Sequence, residues 1–215
     1  MMFQAVALGD VPQGLQVGAL LLGLAIAIIL HEVAHGYVAL WLGDPTAKYA
    51  GRLTFNPLAH VDLWGTVLIP LFLIISGAGF VFGWAKPVPV NYYNLRHGKY
   101  GPAMVALAGP ATNFVILVIM GLAARLSPVG TALPFLFGTI AMVNAVLMMF
   151  NLIPIPPLDG SKILYMFLDD RPDVIQWLER YGFFLLIALL ILGSGILSSL
   201  VFQPALQLTR FFTGF

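Results

Sequence analysis

No cysteine occurs among the 215 residues. That excludes a disulfide framework and thiolate ligands, so a metal site here would be built from His, Asp or Glu. Charge is nearly as scarce. Asp, Glu, Lys and Arg make up 9% of the chain, against about 25% in soluble domains. Ten basic and nine acidic residues give a net charge of +1 and form no basic patch, which excludes nucleic acid as a main partner. Internal repeats and low-complexity tracts are absent as well. What the chain does have is apolar surface, with 60% hydrophobic residues and a mean hydropathy of +0.95. A water-soluble globule of this length has no interior large enough to hide it. The composition therefore describes an integral membrane protein and excludes intrinsic disorder.

A spanning helix needs roughly 20 apolar residues. Apolar runs cover 15–30, 63–84, 102–126, 133–152 and 181–202. The first continues its helical pattern through Trp41 to a Gly43-Asp44-Pro45 stop. Residues 1–14 lack the basic segment of a cleavable signal, so this first run is expected to be retained. The second run is broken by Pro70 and by Ser76-Gly77-Ala78-Gly79. Residues 46–56 (TAKYAGRLTFN) place a glycine between two short β-prone runs and read as a small hairpin or looped strand. Residues 85–99, with Pro87 and Pro89, read as an extended loop, and 160–168 as a short helix before an acidic stretch at 169–173. The expected fold is an all-α polytopic membrane protein. It has about four full transmembrane helices, a re-entrant helical hairpin and a short membrane-associated β segment. One domain is expected over 1–215, with its core at 15–165 and a C-terminal transmembrane helix at 181–203.

The few ionisable residues inside the apolar mass stand out. Residues 31–35 read His31-Glu32-Val33-Ala34-His35. Histidines four apart share a helix face and can share one metal ion, with the intervening Glu placed to act on an attacking water. A polar helix end at headgroup level is the bland alternative, but ionisable residues in a membrane helix are functional candidates by default. Catalytic zinc typically takes three protein ligands, and the candidates for the third are His60, His97, Asp62 and Asp159. Asp159 is the best placed. It follows the fourth run in Asn151-Leu152-Ile153-Pro154-Ile155-Pro156-Pro157-Leu158-Asp159-Gly160, where prolines break the helix. Broken backbone at membrane depth is tolerated where it lines a cavity. Taken alone, Asp159 would also serve as a helix N-cap.

His31 to His35, Gly109-Pro110-Ala111-Thr112-Asn113 and the 151–160 stretch together resemble the site-2 proteases, which are intramembrane zinc metalloproteases. The likeness covers roughly residues 20–165, with its motifs in the family's order, and is closest to the compact prokaryotic branch without a PDZ or CBS domain. It implies one Zn2+ per chain held by His31, His35 and Asp159, with Glu32 as the catalytic carboxylate. Asn113 and Asn151 would be polar contacts near the site. It also implies a transmembrane protein as substrate, a lipid environment, and selection by size exclusion or by a separate regulatory partner. Oxyanion donors are to be sought among Asn113, Asn151 and His60, while His97 reads as solvated. The competing class is a membrane protein with a structural metal site, or a divalent-cation transporter. A transporter, however, should string ionisable groups along a path.

The ligand set also makes a topological demand. His35 and Asp159 meet only if an even number of crossings separates them, so 63–84 should dip and return rather than span. Lys and Arg favour cytoplasmic loops. With the N-terminus outside and 63–84 re-entrant, Lys48, Arg52, Lys86, Arg96, Lys99, Lys162, Arg171 and Arg180 are cytoplasmic, and only Arg125 and Arg210 are not. This places the protein in the cytoplasmic (inner) membrane with its site nearer the cytoplasmic face. The segment 46–56 is then expected to offer an edge to an extended substrate.

Overall fold

The computed structural model describes residues 11–77 and 83–215. The chain opens with α1 (Gln13–Trp41) and the single turn α2 (Thr46–Tyr49). A short 3-10 turn, Pro57–His60, precedes a helical arm that runs from Leu63–Leu68 into α3 (Ile69–Ile75). After a second such turn, Tyr92–Asn94, come α4 (Tyr100–Leu126), α5 (Leu133–Asn151) and α6 (Asp159–Tyr165). The chain closes with α7 (Pro172–Leu192), α8 (Ser194–Leu197), a helical link Ser198–Phe202 and α9 (Gln203–Thr213). Four of these helices, α1, α4, α5 and α7, are long and apolar enough to cross a bilayer. The chain is a multi-pass membrane protein, as its composition requires.

Helices α1, α4 and α5 pack as the central layer. Their contacts are made largely through small residues, which let apolar helices approach closely in the absence of a hydrophobic drive between them. Gly23 of α1 lies against Ile140 and Val143 of α5. Leu117 of α4 packs on Ala141, Ala145 and Met148 of α5, with Ala205 of α9 closing the cluster. Ala19, early in α1, meets Phe135, early in α5, so these two helices run in the same direction. At the opposite end, Leu42 after α1 meets Val105 early in α4, which therefore runs antiparallel to them.

Residues 43–99 leave α1 and return to the same end. The Arg96 N–H donates to the Leu42 carbonyl at 2.9 Å. The Asp44 carboxylate, fully buried, accepts from the Asn91 N–H at 2.7 Å and from Asn94 Nδ2 at 3.0 Å. Of the long helices, only α4 and α5 therefore lie between the His31-to-His35 stretch and Asp159, and the two motifs reach one end of the layer.

Two sequence expectations are corrected. The β segment at 46–56 does not form, and no strand occurs among the described residues. Asp44 takes the Thr46 amide and hydroxyl (3.2 and 2.5 Å), and this local turn starts α2 in place of a strand. A re-entrant helical hairpin is not formed among the described residues either. Residues 63–75 supply one helical arm, but the passage back, over 83–91, is non-helical. Within the expected 63–84, the Trp84 N–H is spent on the Gly65 carbonyl at 3.0 Å, across to the arm and not along a second helix. Residues 78–82, where part of this expectation fell, lie outside the described residues. The C-terminal helix expected at 181–203 begins earlier, at Pro172, and breaks at Gly193. Glu179 and Arg180 precede the apolar run, yet they sit inside α7, where Glu179 pairs with Lys162 of α6.

Candidate metal centre

One turn of helix separates His31 and His35, so both rings leave the same face of α1. Their centroids are 4.5 Å apart, edge to face, and both side chains are buried. Asp159 enters from the far side. The Pro-rich passage after α5 turns the chain back so that α6 begins beside the two rings. Asp159 Oδ2 lies 3.1 Å from His31 Nε2 and 3.4 Å from His35 Nε2.

The second nitrogen of each ring fixes its tautomer. His35 Nδ1 lies 2.7 Å from the Val105 carbonyl, which can only accept, so Nδ1 carries the proton. His31 Nδ1 is 3.0 Å from Asn113 Oδ1 and is protonated for the same reason. Rings held in this way turn Nε2 toward Asp159. Asp159 Oδ2 is buried and accepts no well-directed hydrogen bond. Three potential ligand atoms thus converge on one point, an arrangement that a bound cation would satisfy. The three donors lie within 4.8 Å of one another. Ligands about 2.1 Å from a tetrahedral zinc sit about 3.4 Å apart, so the spacing and the His2Asp chemistry both fit that ion.

Gly109 of α4 makes the approach possible. A Cβ there would lie 2.5 Å from His31 Cε1, so only glycine lets the ring lie flat against α4. Pro110 follows, inside the helix and fully buried, and removes one amide donor from this turn.

Glu32 reaches the returning passage, where its Oε2 accepts from the Val88 N–H at 2.7 Å. Beside it opens a cavity of about 430 Å³, whose wall includes His31, Glu32, Trp84, Phe150, Asn151 and Phe183. Most of that wall is apolar, and its polar members include His31, Glu32 and Asn151.

The other sequence candidates are dispersed. Asn113 supports His31. Asn151 donates Nδ2 to the Leu147 carbonyl at 3.0 Å and faces the cavity. His60 is buried but stands in the 57–60 turn, donating Nε2–H to the Thr54 carbonyl at 2.8 Å, and it is not among the three converging donors. Asp62 caps the helical arm through the Gly65 N–H at 2.7 Å. His97 sits in an exposed turn with φ of 71°. Sequence reasoning missed the Val105 carbonyl and the Val88 amide, because backbone groups leave no mark in composition. Gly109-Pro110 was the visible signal of a close helix approach. Away from the spanning helices, burial and the neighbouring Glu179 carboxylate push the Tyr165 hydroxyl far above its ordinary pKa.

Comparison with known proteins places these features in context. The family model described as Peptidase family M50 matches residues 127–190. The protein named "Putative zinc metalloprotease YwhC" from Bacillus subtilis is 38% identical over 191 residues, which cover 83% of this chain and 83% of that protein. Rip2 of Mycolicibacterium smegmatis, which carries the same description, is 28% identical over 211 residues, covering 89% of this chain and 79% of its own length. MJ0611 of Methanocaldococcus jannaschii, again so described, is 29% identical over 147 residues, 67% of this chain and 68% of its own. No solved structure matches the chain.

Proposed function

The chain belongs to peptidase family M50, the site-2 protease family, and from that membership we propose that it is an intramembrane zinc metalloprotease. Its substrates are membrane proteins, cut within or beside a transmembrane segment. The observation that carries this reading is the convergence of three potential ligand atoms from His31, His35 and Asp159 beside Glu32, at the wall of a largely apolar cavity. We assign His31, His35 and Asp159 as the zinc ligands and Glu32 as the general base. His31, Glu32 and His35 gather at one point rather than along a path, which speaks against a cation conduit.

Zinc held there supplies Lewis acidity toward the scissile carbonyl and the attacking water. Glu32 takes the proton from that water and passes it to the leaving amine. Asn113 and the Val105 carbonyl keep the two imidazoles from turning during the reaction. Asn151, in the cavity wall with one Nδ2 proton uncommitted to Leu147, is the favoured donor to the developing oxyanion. A helical substrate hides its carbonyls in its own hydrogen bonds, so it must unwind before attack. The non-helical passage at 83–87, which borders the cavity, takes over the presenting role expected of 46–56. Lys48, Arg52, Lys86, Arg96, Lys99, Lys162 and Arg171 lie between α1 and α4 or between α5 and α7, which supports a site nearer the cytoplasmic face. Substrate choice rests on the cavity walls or on a separate regulatory partner.

The test compares wild type with Glu32→Gln, each reconstituted in liposomes with a model transmembrane substrate. Bound zinc should be equal in the two proteins, and cleavage should fall about 100- to 10,000-fold in the variant. Normal cleavage by Glu32→Gln would overturn the mechanism.

A further inference from the structure

Alternate amides of the passage back toward α4 face the same way. The Trp84 N–H donates to the Gly65 carbonyl at 3.0 Å, and the Lys86 N–H to the His60 carbonyl at 2.9 Å. The Val88 N–H donates to Glu32 Oε2 at 2.7 Å. This two-residue spacing is that of an extended chain, whose successive amides point to opposite sides. The first two bonds join backbone to backbone. The third reaches a side chain, and that side chain is Glu32. Val88 stands between Pro87 and Pro89, neither of which has an amide proton, so it holds the one N–H of the triplet.

The passage is held where this donor is needed. Arg52 Nη2 donates to the Lys86 carbonyl at 2.7 Å, and Thr66 Oγ1 to the Trp84 carbonyl at 2.8 Å. Arg52 and His60 are both buried polar residues outside the metal centre, and both fasten Lys86, two residues before Val88. Val88 itself is 7% exposed and sits against Gly36, one turn beyond Glu32. A Cβ on Gly36 would come within 3.0 Å of Val88 Cγ1.

We propose that the Val88 N–H is the positioning donor for the catalytic carboxylate. It holds Oε2 of Glu32 and leaves Oε1 as the oxygen that collects and delivers the proton. A glutamate has three free torsions, and a base displaced by about an ångström loses much of its effect. A hydrogen bond to an ionised group from fixed backbone is the means of preventing that. Pro87 and Pro89 stiffen the donor, and Arg52 and His60 brace the passage that carries it. Val88 acts through Glu32, so this assignment rests on the protease reading above.

Replacing Val88 by its α-hydroxy acid through nonsense suppression exchanges the N–H for an ester oxygen and leaves the side chain untouched. Zinc content and KM should hold within twofold while kcat falls about tenfold or more. In a Glu32→Asp background the shorter carboxylate cannot keep both contacts, so the same ester should cost less than twofold further. The Glu32 carboxylate band, assigned in the zinc-free protein by infrared difference against Glu32→Gln, should shift in the ester variant. An unchanged kcat overturns the proposal. So does zinc loss in step with activity, an unmoved carboxylate band, or a penalty that repeats in full on Glu32→Asp. A wild-type protein that binds zinc and cleaves no transmembrane segment overturns the protease reading itself, and the positioning role with it.

Discussion

His35 Nδ1 and the Val105 carbonyl oxygen lie 2.7 Å apart, joining α1 to α4 across 70 positions of sequence. The bond decides which nitrogen of His35 faces Asp159, and does so through a group that no side-chain substitution removes. His31 is oriented in the same way from α4, but by the side chain of Asn113 at 3.0 Å. Of the two supports, only this one is open to mutation.

Asn113→Leu keeps the branched shape and removes the acceptor. The His31 Nδ1 proton is then buried without a partner and the ring is free to turn. Supports of this kind are worth about 10- to 100-fold in metal affinity. Zinc affinity, measured by competition with a chromophoric chelator, should weaken by that factor.

Asp159→Asn removes the anionic donor while keeping its shape. Zinc content and cleavage should fall together, unlike in Glu32→Gln, where only cleavage is lost. Added zinc should raise the melting temperature of the wild type in detergent and leave that of the variant nearly unmoved, since a ligand stabilises only what it binds.

Gly109→Ala should damage the centre from the neighbouring helix. Its Cβ would lie 2.5–2.6 Å from three atoms of the His31 ring, and such overpacking costs about 1–3 kcal/mol. Thermal stability and zinc affinity should both drop. Gly14→Ala is the control, because no neighbour lies within 4 Å of the added carbon, and it should change neither.

Asp44 links the end of α1 to the passage before α4, and it predicts a pH dependence. Burial alone would raise its pKa, but bonds from the Thr46 hydroxyl, Asn94 and the Asn91 and Thr46 amides outweigh that and hold it below the ordinary carboxylate value. A depressed folded-state pKa stabilises the protein above the unfolded value, about 3.9. That contribution is lost as pH falls through the lower, folded-state value. Melting temperature in detergent should therefore decline on acidification below about pH 4. Asp44→Asn should melt lower at neutral pH and show a shallower acid decline; an identical acid limb would refute the role.

The apolar runs located α4 and α5 to within two residues, because long hydrophobic stretches bounded by Gly, Pro and charge leave little freedom in where a spanning helix sits. The i, i+4 spacing likewise placed His31 and His35 on one face, since helix geometry is local. Asp159 was legible as a carboxylate after a proline break, with family resemblance singling it out among the alternatives. Residues 46–56 misled because their β-branched and aromatic content carried no information about Asp44, whose carboxylate turns that stretch into α2. The start of α7 was missed because the apolar run begins only at 181, whereas the helix begins at Pro172 with a polar first half in which Glu179 pairs with Lys162.

Composition, then, settled the solvent, and the absence of cysteine settled the kinds of ligand, because both follow from side-chain chemistry without reference to neighbours. Tertiary structure alone decided which nitrogen of each histidine is free, that Gly109 must be glycine, and that a backbone amide at Val88 meets Glu32. Those outcomes depend on the angle and depth at which separate helices pack, and on carbonyl and N–H groups that every residue carries alike.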